Sequence, residues 1–139
     1  MRRRITRARI CRENKDWVYG YYFYDKEEYT WYFEVDGLGM LLVDNDTAGA
    51  YTLFRDKNGQ KVFTKDIVRT PYTIWGDKGE YKGETDIIGV VVSPKDPLGE
   101  YEVVRENGSV AKIDVYDEDK VEVIGNIFDN PDIVPWYKS

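Results

Sequence analysis

The chain has 139 residues with no histidine, a single cysteine (Cys11) and a net charge of −6. That inventory excludes Ser-His-Asp triads, Cys-His dyads, histidine-ligated zinc or haem, a thiolate zinc site and an internal disulfide. Residues 1–16 carry seven Arg/Lys against two acids (+5), and the other 123 carry 13 bases against 24 acids (−11), a body that repels phosphate backbones at long range.

Apolar residues at 42% and aromatic residues at 15%, including 12 Tyr and 4 Trp, require a packed globular fold. At this length roughly two-thirds of the unfolded surface can be buried, so neither metal nor disulfide is needed for stability. No apolar run approaches the ~18–20 residues of a membrane-spanning helix. The basic amino terminus lacks the apolar core of a secretory signal, and the lone cysteine points to a reducing cytosol.

Taken in chain order, "RRITRARIC" alternates, with Ile5, Arg7, Arg9 and Cys11 on one side and Arg4, Thr6, Ala8 and Ile10 on the other. Its weak apolar signal predicts an edge strand blunted by charge, with Cys11 as a small buried hydrophobe. "DWVYGYYFYDKEEYTWYFEVDGLGMLLVD" reads as three strands joined by the turns "DKEE" and "DGLG". Trp17, Tyr19, Tyr21 and Phe23 share one face of the first, with Tyr22 and Tyr24 on the other. Tyr29, Trp31, Phe33 and Val35 share a face of the next. One aromatic face must be core, and the other is free for a partner or a second copy. "DNDTAGAYTLFR" begins like a calcium loop but fails at Ala48 and at Arg55, where a bidentate glutamate is needed.

"YTLFRDKNGQKVFTKDIVR", residues 51–69, places two apolar segments around an Asp56-Lys57-Asn58-Gly59 turn, with Asn58 and Gly59 suited to positive φ. Phe54, Val62 and Ile67 are its candidate core residues, and Asp66 is placed to tie the strand it opens through a turn hydrogen bond. Segments 72–75, 86–93, 100–105, 109–115 and 121–127 follow as short strands, separated by "GDKGEYKG", "SPKDPLG", "RENGS" and "DEDK". Strands at about ten-residue spacing without helical periodicity predict a small barrel or sandwich. The one helix start is "DNPDIV", with Asn130 as N-cap and Pro131 in the first turn, positioned to pack Ile133, Val134 and Trp136 back on the strands.

At residues 51–69 the pattern resembles the signature of the YopX family of phage and prophage proteins. That signature runs approximately Tyr-Thr-Gly-Leu-Lys-Asp-Lys-Asn-Gly-Lys, then an aromatic step, then Gly-Asp-Ile-Val. "WVYGYYF" (17–23) is similar to the family's first hairpin strand, "VEVIGNIFDNPDIV" (121–134) to its closing strand, and "GVVV" (89–92) also agrees in order and spacing. Two of the signature's three glycines are Leu53 and Lys65 here, which predicts locally altered turns, since glycine at such points serves positive φ. The resemblance implies a mainly β protein whose second half is an SH3-like barrel, in a bacterial host cell. It carries over no activity and no catalytic residue.

The expected architecture is thus an N-terminal antiparallel aromatic meander (1–50) and a small SH3-like β-barrel (51–139), packed as one unit, with at most one short C-terminal helical turn. The expected function is that of a cytoplasmic, non-enzymatic accessory protein that binds a host or phage protein. No cofactor, metal or membrane is expected, and self-association is open to an exposed aromatic strand edge. The alternative is a single-stranded nucleic-acid binder, using arginines of the basic arm and stacking rings. The candidate binding residues are Arg2, Arg4, Arg7, Arg9, Tyr22, Tyr24 and Tyr32.

Overall fold

The computed structural model describes residues 5–11, 16–35, 39–96 and 98–138. Arg2, Arg4 and most of the "DGLG" turn lie outside them. The mainly β expectation holds, and the chain divides into two units, Met1–Tyr51 and Thr52–Ser139. No helix among the described residues is long and apolar enough to cross a membrane.

In the first unit, β1 (Thr6–Arg9), β2 (Val18–Asp25), β3 (Thr30–Val35), β4 (Gly39–Leu41) and the start of β5 (Asp44–Arg55) form an antiparallel sheet. Its order is β4-β3-β2-β1-β5. The meander therefore covers β1 to β4, and β5 returns to the far side of β1. The calcium-loop lookalike is simply this strand. Ala8, Phe33 and Val35 form the buried cluster, with Val18, Tyr22, Leu41, Val43 and Ala48 packed on it.

β1 is an interior strand, which corrects the reading of a charge-blunted edge. Arg7 stands in register with Tyr19 on one side and Gly49 on the other. Arg7 and Arg9 are only 5% and 2% exposed, each with its guanidinium carbon 4.4 Å from the centre of the Trp17 ring. A planar, weakly hydrated guanidinium on an apolar stem packs on an aromatic face as a hydrophobe would. Hydropathy alternation scores the same residue as solvated. Cys11, read as buried, is exposed because the strand ends at Arg9.

In the second unit, β6 (Lys61–Phe63) extends the sheet of β5. β7 (Asp66–Trp75), β8 (Tyr81–Val92), β9 (Glu102–Arg105), β10 (Val110–Lys112) and β11 (Glu122–Asn126) build a five-stranded antiparallel sheet in the order β10-β9-β8-β7-β11. β10 and β11 are its two edges, so the expected SH3-like barrel is an open sheet rather than a closed one. Both faces are covered. Val68, Val91 and Val103 pack with Phe54, Val62, Ile113 and Val121 on one side. On the other, Ile67 and Val90 meet Val134, with Ile133, Trp136 and Tyr137 around it, as the sequence predicts for the C-terminal turn. Burying each such aliphatic side chain contributes about 1.5–3 kcal/mol.

The β7–β8 hairpin outruns its neighbours. β11 pairs with residues 66–69 of β7 and β9 with 89–92 of β8, whereas Tyr72–Trp75 pairs only with Tyr81–Thr85 among the described residues. Tyr81 to Asp86, expected partly as turn, is strand, held by backbone pairing where its exposed side chains give no apolar signal.

Residues 51–69 form the turns foreseen for them. Gly59 adopts φ 78° and closes the loop by donating to the Asp56 carbonyl at 2.9 Å, while Asn58 is not at positive φ. The Asp56 side chain, 3% exposed, accepts from the backbone N–H of Asn58 (2.9 Å), Gln60 (2.9 Å) and, across to β11, Val123 (3.0 Å). Asp66 accepts from the Phe63 N–H at 2.8 Å. Leu53 and Lys65 sit at φ 69° and 76°. Leu53, inside β5, and Lys65, in the turn before β7, thus carry side chains at a positive φ where glycine is at home.

Among the described residues, helical structure is confined to one-turn 3-10 segments at Ile113–Val115, Glu118–Lys120 and Pro131–Ile133. Only the last is foreseen in the sequence reading. Its Asn130 makes no side-chain cap, and Oδ1 accepts instead from the Asn126 N–H at 3.3 Å. The strand expected over 109–115 stops at Lys112, where Ile113 drops into the core and its N–H donates to the Tyr101 carbonyl at 2.9 Å.

Candidate binding surface

β2 and β3 alternate aromatic side chains in a register that pairs Tyr22 with Phe33, Phe23 with Tyr32 and Tyr24 with Trp31. The connecting turn is set by Asp25, whose Oδ1 accepts from the N–H of Glu27 (2.9 Å) and Glu28 (3.3 Å), and by Tyr29 at φ 54°. Since paired residues project to the same side of a sheet, Tyr22, Tyr24, Trp31 and Phe33 share one face, and Phe23 and Tyr32 the other.

The first face is core at one end and open at the other. Phe33 is 1% exposed, Tyr24 42% and Trp31 59%. Tyr22 bridges the two, edge-on to Phe33 at 5.1 Å and to Trp31 at 6.4 Å between ring centres. Tyr24 lies 5.2 Å from Trp31, tilted by 46°. The Tyr22 hydroxyl donates to Asn45 Oδ1 of β5 at 2.6 Å. Tyr22, Trp31, Asn45 and Ala48 line an open groove of ≈ 420 Å³. Burial, reinforced by the neighbouring Asp44 carboxylate, pushes the Tyr22 phenol above its ordinary 10.0.

The seven residues singled out in the sequence are not one site. Tyr22 lines the groove, and Tyr24 stands beside it against Trp31. Tyr32 is on the opposite face, stacked on Phe23 at 5.6 Å, with its hydroxyl donating to Glu28, which holds that phenol above 10.0. Arg7 and Arg9 are inside on Trp17, and Arg2 and Arg4 lie outside the described residues. Trp31, Asn45 and Ala48, which also line the groove, are not among those seven. The pairing of Tyr24 with Trp31, four residues of turn apart, is the signal that finds Trp31; nothing local marks Asn45.

Further apolar features are open among the described residues. Trp75 and Tyr81, 63% and 60% exposed, meet edge-on at the tip of the β7–β8 hairpin, 6.2 Å apart. Ile127, Pro131, Val134, Pro135 and Tyr137 line a pocket of ≈ 300 Å³ under the C-terminal turn. The groove combines aromatic side chains, an amide oxygen and a nearby carboxylate, the mixture that orients a ligand.

A family model described as YopX protein matches residues 6–134. The chain belongs to the YopX family. No curated protein matches it. The YopX-like segments fall on scaffold: 17–23 on β2, 51–69 on the β5–β6–β7 turns, 89–92 on the inner half of β8, and 121–134 on β11 and the closing turn. Trp31, Asn45 and Ala48 lie outside all four. The matched span includes all four groove residues, and Tyr22 lies in the first of these segments.

Proposed function

We propose that this YopX-family chain is a non-enzymatic binding protein, encoded by a phage or prophage, that acts on a host or phage protein in the bacterial cytoplasm through the groove beside Trp31. What carries the reading is a Trp side chain 59% exposed on the wall of a concavity, flanked by Tyr22 and Tyr24. Exposed aromatic residues at the rim of a pocket are the side chains that dominate protein interfaces. The absence of histidine from the composition removes the commonest general base, consistent with a role in binding. Single-stranded nucleic acid is the weaker partner class: Arg7 and Arg9 are turned inward, and a phosphate backbone approaching Trp31 meets an acidic surround.

The test is affinity capture from lysate of a host bacterium, with the wild-type chain and Trp31→Leu as parallel baits and protein bands quantified. A partner held by wild type and at least tenfold depleted on Trp31→Leu supports the reading. Equal recovery on both baits removes the groove from the function.

A further inference from the structure

We propose that the groove is a receptor for a cationic side chain, its occupant being an arginine on a basic segment of the partner protein. The proposal rests on the binding reading above and names the chemistry that reading leaves open.

Three observations lead to it. Trp31 presents its ring to solvent while Tyr22 stands nearly perpendicular to it, at 86°, and Tyr24 leans over at 46°. The solvent-exposed part of the Trp31 ring carries the negative face of its quadrupole, which favours a cation. The nearest described carboxylate has the right sign: Asp44 precedes Asn45 on β5, and its charge is felt at the Tyr22 phenol.

The third observation is internal. This chain already packs guanidinium on indole, with Arg7 and Arg9 each 4.4 Å from Trp17. Arg105 also lies 5.7 Å from the Tyr72 ring. Trp31 offers the same half of that arrangement on the outside. Arginine suits it better than lysine because its planar, weakly hydrated head stacks on a ring at lower desolvation cost. A groove of ≈ 420 Å³ accepts one such side chain with its stem, at the small end of the ~300–1,000 Å³ typical of ligand sites.

The experiment uses the full chain and four nine-residue Gly/Ser peptides, each carrying two copies of arginine, lysine, citrulline or norleucine. Citrulline keeps the shape of arginine without its charge. Binding is read from the Trp31 indole N–H resonance, identified as the signal missing in Trp31→Leu, and from titration calorimetry. The expected result is that arginine shifts that resonance and binds about 2- to 30-fold more tightly than citrulline or norleucine. The preference shrinks at high salt and is lost in Trp31→Leu, which keeps an apolar strand residue and every charge. Tyr24→Leu serves as a second variant should Trp31→Leu melt early. Arginine binding that survives both variants marks generic attraction to an acidic surface and overturns the proposal. Equal binding of citrulline, or no shift with any peptide, also overturns it. The binding reading still stands in those cases if Trp31→Leu releases the lysate partner, and it falls with the proposal if that partner stays.

Discussion

Leu53 supports a quantitative test of the backbone reading, because its φ of 69° places an L residue where glycine is at home. A left-handed conformation costs a residue with a Cβ about 1–2 kcal/mol. Glycine avoids that cost but loses about 0.5–1 kcal/mol more on folding through its freer unfolded chain. Replacing Leu53 also discards whatever its side chain contributes, and at 62% exposure that contribution is small but not nil. Comparing Leu53→Gly with Leu53→Ala cancels the lost side chain and isolates the backbone term. Glycine is then more stable than alanine by about 0.5–1 kcal/mol. With an unfolding entropy of about 2.1 cal/mol/K per residue over 139 residues, this raises Tm by roughly 2–3 °C. The control is Arg55, exposed on the same strand and outside the positive-φ set. There Arg55→Gly is less stable than Arg55→Ala by a similar amount, reversing the sign. Thermal melts of the four variants, followed by circular dichroism, read the result. If Leu53→Gly melts at or below Leu53→Ala, the chain does not hold that conformation in solution and the argument fails.

Asp56→Ala leaves three backbone N–H donors without their acceptor and is expected to destabilise the second unit by about 2–4 kcal/mol in urea unfolding, with Asp56→Asn losing markedly less. Tyr22 ionises late: its folded pKa is raised above 10.0, so its contribution to stability is complete below that value and is lost as pH rises through the folded pKa. Ultraviolet titration of Tyr22→Phe therefore lacks a component on the alkaline side of the main tyrosine transition. Glu122 titrates in the opposite sense. The hydrogen bond from Lys57 (2.9 Å), helped by Arg69 at 2.7 Å, holds its carboxyl below 4.5. Its contribution is present above the unfolded pKa and fades as pH falls through the folded one, so Glu122→Gln flattens the acid limb of Tm against pH.

Local chemistry made much of this frame legible. Asp-Lys-Asn-Gly specifies a tight turn whatever surrounds it, and Phe54, Val62 and Ile67 are buried as period-two patterning requires. What period two cannot supply is which strands become neighbours. β1 is interior because β5, some forty residues later, pairs along its open side, and no signal within "RRITRARIC" announces that. The far half of β8 is strand because β7 pairs with it, although its outward residues are polar on both faces. The groove was half legible for the same reason: alternation groups Tyr22 with Tyr24, but only strand pairing adds Trp31, and only β5 adds Asn45.

Placing Arg7 and Arg9 also changes what the charge count means. Read along the chain, a +5 segment beside a −11 body suggests a basic arm on an acidic domain. In the fold, two of those positive charges are packed against Trp17, and the described surface of the same unit carries seven solvent-facing carboxylates with Lys26. The segment that reads as a handle for phosphate is, in its described part, a structural strand. On the proposed reading, a cation stacked on Trp31 gains from the ring and from the Asp44 charge together, whereas a base stacked there brings its phosphate towards that charge.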